Sequence, residues 1–250
     1  MEDPFSCIAE SYDEIMLKVN YPEWAQYIKT LFSLAPLKPI HLVLDLSAGT
    51  GSLSSILTSW GYELFCFDFS LGMLNIAKRK FEKQNLLGTF VRGDFRKIPF
   101  KETSFDAVIS TFDSLNNVLD PNELLDIFVQ VKKILKSGGP FIFDLNTEWS
   151  LKIEWNDFTR VEETANTITI WKSRYLNSIS YLFFTLFVKI DEEKAIYKKI
   201  STVFKERGYD PAEVRAMLKK AGFEKIFMFD HFTFNPGKPK SSRVTYLAYH

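Results

Sequence analysis

The amino-acid sequence predicts a doubly wound α/β fold built on a mostly parallel seven-stranded sheet. Short apolar segments typical of strands alternate with longer helical segments along most of the chain. This order is typical of a parallel sheet with helices on both faces. Between Asn156 and Gly208 the alternation stops and no helical period is present. We therefore expect one α/β sheet that carries an antiparallel insertion.

The apolar periods place the individual elements in chain order. Strands are expected near residues 41–46, 62–69, 89–93, 105–111, 139–145, 225–230 and 243–249. Helices are expected near residues 22–35, 51–60, 71–85, 121–136 and 211–221. Two helix starts are marked most clearly, because Asp120-Pro121-x-Glu123 and Asp210-Pro211-x-Glu213 each combine a capping carboxylate, a first-turn proline and a glutamate in the first turn.

The composition fits a single α/β domain of ordinary charge. The chain has 250 residues, of which 46% are hydrophobic, enough for one substantial core. Its 31 basic and 31 acidic side chains give a formal net charge of +0, which offers no general attraction to nucleic-acid phosphates. Two cysteines, Cys7 and Cys66, are too few for a disulfide framework or a zinc site. The three histidines are scattered along the sequence, so no metal centre is expected.

The first residues, M-E-D-P-F-S, lack the basic and then apolar pattern of a secretory leader. No run of about 18 apolar residues, the length that would suggest a membrane-spanning helix, occurs in the sequence. A cytoplasmic location is the resulting expectation, with no membrane partner.

A glycine-containing turn follows the first predicted strand, where residues 43–53 read V-L-D-L-S-A-G-T-G-S-L. Gly49 and Gly51 would let a ligand approach the backbone closely, and the next helix would direct its N-terminal N–H groups toward it. Leu53 stands where a dinucleotide fingerprint has its third glycine, and no Lys-Ser or Lys-Thr pair follows, so neither a dinucleotide site nor a P-loop is favoured. A nucleotide cofactor and an ordinary α/β turn both remain open at this point.

Acidic residues also end the next two strands. Asp68 lies 19 residues after Gly49, at the end of an apolar strand, where a carboxylate can bind the hydroxyls of a ribose. Asp94 follows the third strand in the same way. Together with Asp45, these residues would bring three carboxylates to one edge of the sheet. For Asp68 the alternative is a structural role at the start of the following helix.

With these motifs in order, the sequence resembles the class I S-adenosylmethionine-dependent methyltransferases. V-L-D-L-S-A-G-T-G matches their first motif, F-D-F-S-L-G-M-L the second and G-D-F-R-K-I-P-F the third. S-F-D-A-V-I-S-T-F-D-S-L-N-N is similar to the fourth-strand motif, and V-K-K-I-L-K-S-G-G-P-F-I-F-D-L to the helix and fifth strand. The resemblance covers most of residues 43–145 and 208–250 and implies a Rossmann-like fold with S-adenosyl-L-methionine as cofactor.

The resemblance implies a set of cofactor-binding residues. The methionine end of the cofactor would lie near Asp45, Ser47, Ala48, Gly49 and Gly51, and Asp68 would hold the ribose. The adenine would lie against Phe69 and Met73, with Asp94 at its amine and the Phe95 N–H at its ring. The remaining members of the set are Thr111, Tyr12 and Tyr21. Ser47 replaces a glycine that the family usually has at that position.

Two further segments are expected around this domain, which is assigned to residues 41–150 and 208–250. Residues 1–40 form a helical cap in which Tyr12 would reach over the cofactor, with Tyr21 and Trp24 behind it; ordinary packing is the alternative for each. Residues 151–207 contain three predicted strands, 167–175, 179–190 and 195–205, joined by turns at 176–177 and 191–194. This insertion is expected to be either a lid over the cofactor site or the surface of a homodimer.

The methyl acceptor is predicted less directly than the cofactor. Asp113, just after the fourth strand, is the candidate catalytic residue that would orient or deprotonate an acceptor, with turn capping as the alternative. Asn116 and Asn117 are possible polar contacts. The fourth-strand motif lacks the N-P-P-Y or D-P-P-Y pattern of amino-directed nucleic-acid methyltransferases, which favours a small-molecule acceptor methylated at N or O.

Two alternatives remain for the function. The first is an RNA or protein methyltransferase that uses the basic stretch from Phe232 to Arg243, which is otherwise a solvated loop. The second is a non-catalytic protein that binds S-adenosylmethionine.

Overall fold

The computed structural model describes residues 3–191 and 194–250. Within this part of the chain the helices are α1 (Ala9–Ile15), α2 (Tyr21–Leu34), α3 (Ser52–Ser59), α4 (Leu71–Lys83), α5 (Pro121–Ile134) and α6 (Pro211–Lys220). The strands are β1 (Leu42–Asp45), β2 (Glu63–Asp68), β3 (Thr89–Arg92), β4 (Ala107–Ser110), β5 (Phe141–Asn146), β6 (Thr159–Glu163), β7 (Thr167–Leu176), β8 (Ile179–Asp191), β9 (Ile196–Arg207), β10 (Lys225–Asp230) and β11 (Arg243–Tyr249). None of the described helices is both long and apolar enough to cross a membrane.

The main sheet has seven strands in the order β10-β11-β5-β4-β1-β2-β3, and the predicted fold class is confirmed. Strand β11 pairs antiparallel with both β5 and β10, while the pairs from β5 to β3 are parallel. The chain runs outward from β1 through β2 to β3 and then returns to the other side of β1 as β4. This reversal opens a crevice beyond the carboxyl ends of β1 and β4, the usual ligand site of such sheets.

Alternating side chains of the strands supply two separate cores. In β1, Leu44 packs into the core formed with α5 and α6, whereas Val43 packs into the core formed with α2, α3 and α4. Both predicted helix starts are capped as expected, since the Asp120 and Asp210 carboxylates accept bonds from the N–H groups of Asn122 and Ala212. These caps fix where α5 and α6 begin and hence which faces meet the sheet.

The insertion forms a separate antiparallel sheet with the order β6-β7-β8-β9, which we call the roof sheet. Three of its strands were predicted, but the expectation of three strands in total was wrong, because β6 adds a fourth. Strand β6 was missed because T-R-V-E-E contains one apolar residue and lies at an edge, where burial is slight. Part of the predicted turn after β8, Glu192 and Glu193, lies outside the described residues.

The two faces of the roof sheet differ in what they contact. On the inner face, Phe184, Leu186 and Phe204 pack with Ile8 and Met73, which joins the roof sheet, the N-terminal segment and α4 in a third core. The outer face exposes apolar side chains, including Val161, Phe183 and Val203. Pairing of this outer face with a second copy of the chain stays a prediction.

One glycine of the first turn has a structural reason that the sequence did not reveal. Gly51 has φ +70°, and a Cβ at this position would lie 2.9 Å from the Ala77 Cβ in α4. Gly49 has φ +55°, but a Cβ there would meet no atom within 4 Å. Gly51 therefore allows α4 to pack against the turn, whereas Gly49 faces open space.

We expect Gly51→Ala to destabilise the protein by about 2–5 kcal/mol, from backbone strain of roughly 1–2 kcal/mol and overpacking of roughly 1–3 kcal/mol. Gly49→Ala is the matched control, because it introduces the same backbone strain without the collision. Urea unfolding of both variants measures the difference, and Ala77→Gly should restore part of the loss in Gly51→Ala. Equal losses in the two glycine variants would contradict the packing role.

Candidate functional site

A cavity of about 1860 Å³ lies at the carboxyl ends of the main-sheet strands, beneath the roof sheet and beside α1. The predicted site residues that line it are Tyr12, Tyr21, Asp45, Ser47, Ala48, Gly49, Asp68, Phe69, Met73, Asp94, Phe95, Thr111 and Asp113. Gly51 is the exception, because its glycine is required for packing against Ala77. The structure thus brings the remaining predicted residues, which are scattered over about a hundred positions, around one space.

The glycine turn is held in shape by the first two carboxylates. The buried Asp45 side chain accepts a hydrogen bond from Ser54 Oγ at 2.5 Å. Ser47 Oγ lies 2.9 Å from Ser110 Oγ, at the end of β4. Asp68 accepts bonds from the N–H groups of Gly49 and Ser70, both at 2.8 Å. Asp68 therefore ties the end of β2 to the turn and to the start of α4, which is the structural role that the sequence left open. The same side chain also lines the cavity.

Burial raises the pKa of both carboxyl groups to about 6, although the hydrogen bonds that they accept act in the opposite direction. For Asp45 the opposing bonds come from Ser54 and Ser47, and for Asp68 they come from Ser70 and Gly49. Each carboxylate is thus costly to keep ionised in the interior. A hydrogen-bonding ligand at Asp68 would offset that cost.

Asp94 has a close cationic partner. Arg96 Nε donates to the two Asp94 oxygens at 2.9 and 3.1 Å, and the Arg96 backbone N–H donates at 2.9 Å. Burial opposes ionisation of Asp94, but these bonds outweigh it and hold the pKa of the carboxyl below its usual value. Asp94 is therefore an ionised acceptor at the cavity wall, and any ligand there shares it with Arg96.

Helix α1 is fastened to the glycine turn by a residue that the sequence reasoning did not single out. The Asp13 carboxylate accepts a hydrogen bond from Thr50 Oγ1 at 2.6 Å and lies 2.8 Å from Lys80 Nζ in α4. Lys80 also donates to Ser52 Oγ at 2.6 Å. This network fixes α1 so that Tyr12 faces the cavity, where burial followed by the charges of nearby groups, including Asp113 and Asp68, raises its pKa.

At the opposite end of the cavity, three carboxylates surround one guanidinium group. Arg243, the first residue of β11, lies 3.1 Å from Asp113 Oδ2 and 3.0 Å from Asp144 Oδ2. Asn146 Nδ2 donates to Asp113 Oδ2 at 2.6 Å and to Glu206 Oε2 at 3.3 Å. We call Asp113, Asp144, Glu206 and Arg243 the acid cluster. Fully ionised, its three carboxylates and one guanidinium would carry two excess negative charges.

The charge excess appears in the pKa values of the acid cluster. Burial, and then the neighbouring Asp113 charge, raise the pKa of Glu206 to about 8, against the opposing effects of Asn146 and Arg243. Burial also raises the pKa of Asp144 to about 6, although Arg243 opposes it. The Asp144 Oδ1 atom is buried and has no hydrogen-bond partner within residues 3–191 and 194–250. The cluster is therefore short of positive charge.

An aromatic group forms the wall next to the acid cluster. The Trp24 ring lies 4.5 Å from the Phe112 ring and 4.7 Å from the His231 ring, measured between centroids. His231 Nδ1 lies 2.9 Å from Thr245 Oγ1. Burial, and then the Arg243 charge, lower the pKa of His231 to about 3, so its imidazole is neutral at physiological pH.

Three sequence expectations for the acceptor side need correction or refinement. Asn116 is not a ligand contact, because its side chain is fully buried and bonds the backbone of Asn146 and Arg207. Asn117 does line the cavity. Arg243, which the sequence assigned to a basic loop, instead neutralises part of the acid cluster. Glu206 was missed because it lies on the inserted sheet. Asp144 lies within the quoted fifth-strand motif, but the motif indicated only the fold and gave its side chain no role.

Comparison with known proteins gives consistent matches. The model of a methyltransferase domain family matches residues 43–139. The putative methyltransferase YqeM of Bacillus subtilis is 28% identical over 241 residues, which is 96% of this chain and 94% of the relative. A solved S-adenosylmethionine-dependent methyltransferase from Clostridium acetobutylicum superposes with a TM-score of 0.87 at 25% identity, covering 99% of both chains. The sugar N-methyltransferase KedS8 from a Streptoalloteichus species shares the fold, with a TM-score of 0.75 at 18% identity over 96% of this chain and 93% of that one.

The raised pKa of Glu206 predicts a specific pH dependence of stability. The native state keeps the Glu206 proton up to about pH 8, whereas the unfolded chain releases it near the ordinary value of 4.5. The unfolded state thus binds fewer protons between these values, so the contribution of Glu206 is complete at low pH and is lost as pH rises toward 8. His231, whose native pKa is lowered, has the opposite effect and loses stability as pH falls below its unfolded value.

The variant Glu206→Gln cannot ionise, so its free energy of unfolding should rise relative to the wild type by up to about 1.4 kcal/mol per pH unit between pH 5 and 8. The other charged or titratable groups that face this interior are the same in both proteins: His231, Asp113, Asp144 and Arg243. Subtracting the wild-type free energy of unfolding from that of the variant therefore removes most of their contribution to the pH dependence. Urea unfolding at several pH values measures it. Glu163→Gln, an exposed change on β6, is the control and should follow the wild type; parallel curves for Glu206→Gln and wild type would contradict the assignment.

Proposed function

The chain is a class I S-adenosylmethionine-dependent methyltransferase that uses S-adenosylmethionine as its methyl donor, and we propose that it methylates the amine nitrogen of a small molecule. The observation that carries the proposal is the acid cluster at the acceptor end of the cavity. Its negative charge exceeds what Arg243 neutralises, and a protonated amine would supply the missing positive charge.

The lining of the other end of the cavity fits the cofactor. Gly49 leaves open space where a side chain would project, so a ligand can reach the backbone of the turn. Ser47 and Ala48 are small, and Asp68 offers a carboxylate for ribose hydroxyls. Phe69 and Met73 offer apolar side chains for the adenine, and Phe95 would offer its backbone N–H. When bound, the cofactor supplies an electrophilic methyl group on a positively charged sulfur. We propose that these residues, with Asp45, Asp94 and Thr111, hold it.

The enclosure of the cavity favours a small molecule over a macromolecule. The inner face of the roof sheet contributes Trp171, Leu182 and Phe204 to the lining, and α1 contributes Tyr12. Because the third core fixes both elements to α4, the acceptor must fit beneath them. We propose that the roof sheet is a lid in this sense. An enclosed site also excludes water from the methyl group and orients the acceptor nitrogen behind it.

Electrostatics favours an amine over an anionic acceptor. Two unit charges about 4 Å apart interact by roughly 4 kcal/mol at the effective dielectric of a protein surface. A phosphate placed beside Asp113 and Glu206 would meet repulsion of that order, whereas an ammonium group would be attracted. The fold neighbour KedS8 acts on a sugar nitrogen by its name, which is consistent with amine chemistry in this architecture.

The cofactor assignment predicts that Asp68→Ala weakens S-adenosylmethionine binding at least about a hundredfold, because it removes the ribose acceptor and also frees the Gly49 N–H. Calorimetry with the cofactor and its demethylated product provides the measurement. Asp126→Ala, an exposed change on α5, is the matched control. Binding by Asp68→Ala within about threefold of the wild type would show that the ribose is held elsewhere.

The acceptor assignment predicts methyl transfer to a panel of small primary amines, and none to the matched alcohols. Transfer of tritiated methyl groups to amines, alcohols, RNA and protein is to be compared in parallel. Transfer confined to alcohols or to a macromolecule would overturn the proposal.

We propose that the Asp113 carboxylate, which is positioned by Arg243 and Asn146, holds the acceptor ammonium. Asp113→Asn should lower the rate of transfer to amines at least about tenfold while changing cofactor affinity less than about threefold, because Asp113 lies at the acceptor end of the cavity. Steady-state kinetics and calorimetry on the same preparation separate the two effects. An unchanged rate would remove Asp113 from the acceptor site.

A further inference from the structure

Resting on the proposed amine acceptor, we propose that Glu206 of the roof sheet is the group that removes the proton from the acceptor ammonium before methyl transfer. An amine is nucleophilic only in its neutral form, so this proton must leave before the nitrogen attacks the methyl group. Glu206 lies on strand β9, far in sequence from the motifs that bind the cofactor, and no sequence feature pointed to it.

Hydrogen bonding separates Glu206 from the other two carboxylates of the acid cluster. Asp113 Oδ2 accepts a hydrogen bond from Asn146 Nδ2 at 2.6 Å and forms an ion pair with Arg243 at 3.1 Å. Asp144 Oδ2 accepts hydrogen bonds from Arg243 and from the Asp113 backbone N–H, both at 3.0 Å. Asp144 does not line the cavity. Among the described residues, Glu206 receives one long bond, from Asn146 at 3.3 Å. Glu206 therefore keeps the freest carboxylate that faces the acceptor space.

Other titratable groups at the cavity are poorer proton acceptors. Burial and the Arg243 charge lower the pKa of His231 to about 3, so its imidazole holds a proton weakly. Burial raises the pKa of Tyr12, which keeps the phenol protonated. The Asp113 Oδ2 atom is already in contact with Arg243 at 3.1 Å and with Asn146 Nδ2 at 2.6 Å. The raised pKa of Glu206 brings its proton affinity nearer to that of an amine than the affinity of an ordinary carboxylate would be, which lowers the cost of the proton transfer.

The proposed step balances without any further reactant. Before the acceptor binds, Glu206 keeps its own proton up to about pH 8, and it releases that proton to solvent as the ammonium enters, because a neighbouring cation favours the carboxylate. One N–H bond of the acceptor ammonium then breaks, and its proton forms an O–H bond with the Glu206 carboxylate. The nitrogen lone pair then forms the N–C bond, and the electrons of the broken S–C bond remain on sulfur. The product leaves as a methylated ammonium ion, and Glu206 returns its proton to solvent when the cavity opens.

The position of Glu206 makes the roof sheet part of the chemistry. Strand β9 brings Glu206 to Asn146, the last residue of β5, and Phe204 on the same face of β9 packs in the third core. The third core also contains Ile8 and Met73, so the position of the roof sheet, and with it that of Glu206, depends on packing against the N-terminal segment and α4.

Two small amines of similar size provide the kinetic test. Methylamine is protonated at neutral pH, whereas methoxyamine is largely neutral there, and both are small enough to enter the cavity. In wild-type enzyme supplied with S-adenosylmethionine, both should be methylated. Glu206→Gln should lose at least about tenfold in rate with methylamine but less than about threefold with methoxyamine, and Glu206→Asp should recover part of the loss.

A second readout does not depend on turnover. In enzyme saturated with the demethylated cofactor and carrying ¹³C-labelled glutamate, one carboxyl resonance should titrate well above the ordinary range and should be missing in Glu206→Gln. Saturating methylamine should shift this titration to lower pH, because a bound ammonium favours the ionised carboxylate. Glu163→Gln is the matched control for both measurements and should behave as the wild type.

The outcomes distinguish this inference from the proposed function. If wild-type enzyme methylates neither amine, the amine assignment fails and the role of Glu206 fails with it. If wild-type enzyme methylates both but Glu206→Gln loses equally with each, or with neither, the amine assignment stands and the role of Glu206 is overturned. A Glu206 carboxyl that titrates in the ordinary range would also overturn it.

Discussion

A shortage of positive charge characterises the end of the cavity that we propose for the acceptor. Arg243 is shared between Asp113 and Asp144, and Glu206 faces the same cavity with one long hydrogen bond among the described residues. Carboxylates removed from water are costly unless a cation compensates them. A structure that keeps three of them around one guanidinium is suited to a positively charged partner, and the acceptor amine is the partner that we propose.

The two ends of the cavity obtain their residues in different ways. At the cofactor end, Asp45, Asp68 and Asp94 follow strands that lie side by side in the sheet, so local sequence order brings them together. At the end that we propose for the acceptor, Asp113, Glu206 and Arg243 come from the loop after β4, the roof sheet and β11, which meet only when the whole chain is folded. Neighbouring strands of the main sheet thus supply the proposed cofactor site, while segments that are distant in sequence supply the proposed acceptor site.

This difference explains what the sequence could predict. The seven main strands and their order of appearance follow from apolar periods, and their predicted positions agree with the structure to within a few residues. The cofactor-binding residues implied by the resemblance stay a prediction, although all but Gly51 line one cavity. The sequence could not show that Gly51 accommodates Ala77, that Asp13 fastens α1 to the turn, or that Asn116 is fully buried in backbone hydrogen bonds. Each of these depends on a contact between segments whose relative positions only the tertiary structure defines. Strand β6 was missed for a related reason, since an exposed edge strand has little apolar pattern.

The preference of the acceptor site for positive charge can be measured directly with three planar molecules of nearly equal shape: acetamidinium, acetamide and acetate. Calorimetry on enzyme saturated with the demethylated cofactor gives the affinity of each. Acetamidinium is expected to bind at least about tenfold more tightly than acetamide, a difference of roughly 1.4 kcal/mol, with acetate the weakest of the three. Equal affinities, or tightest binding of acetate, would contradict a cation-selective acceptor site.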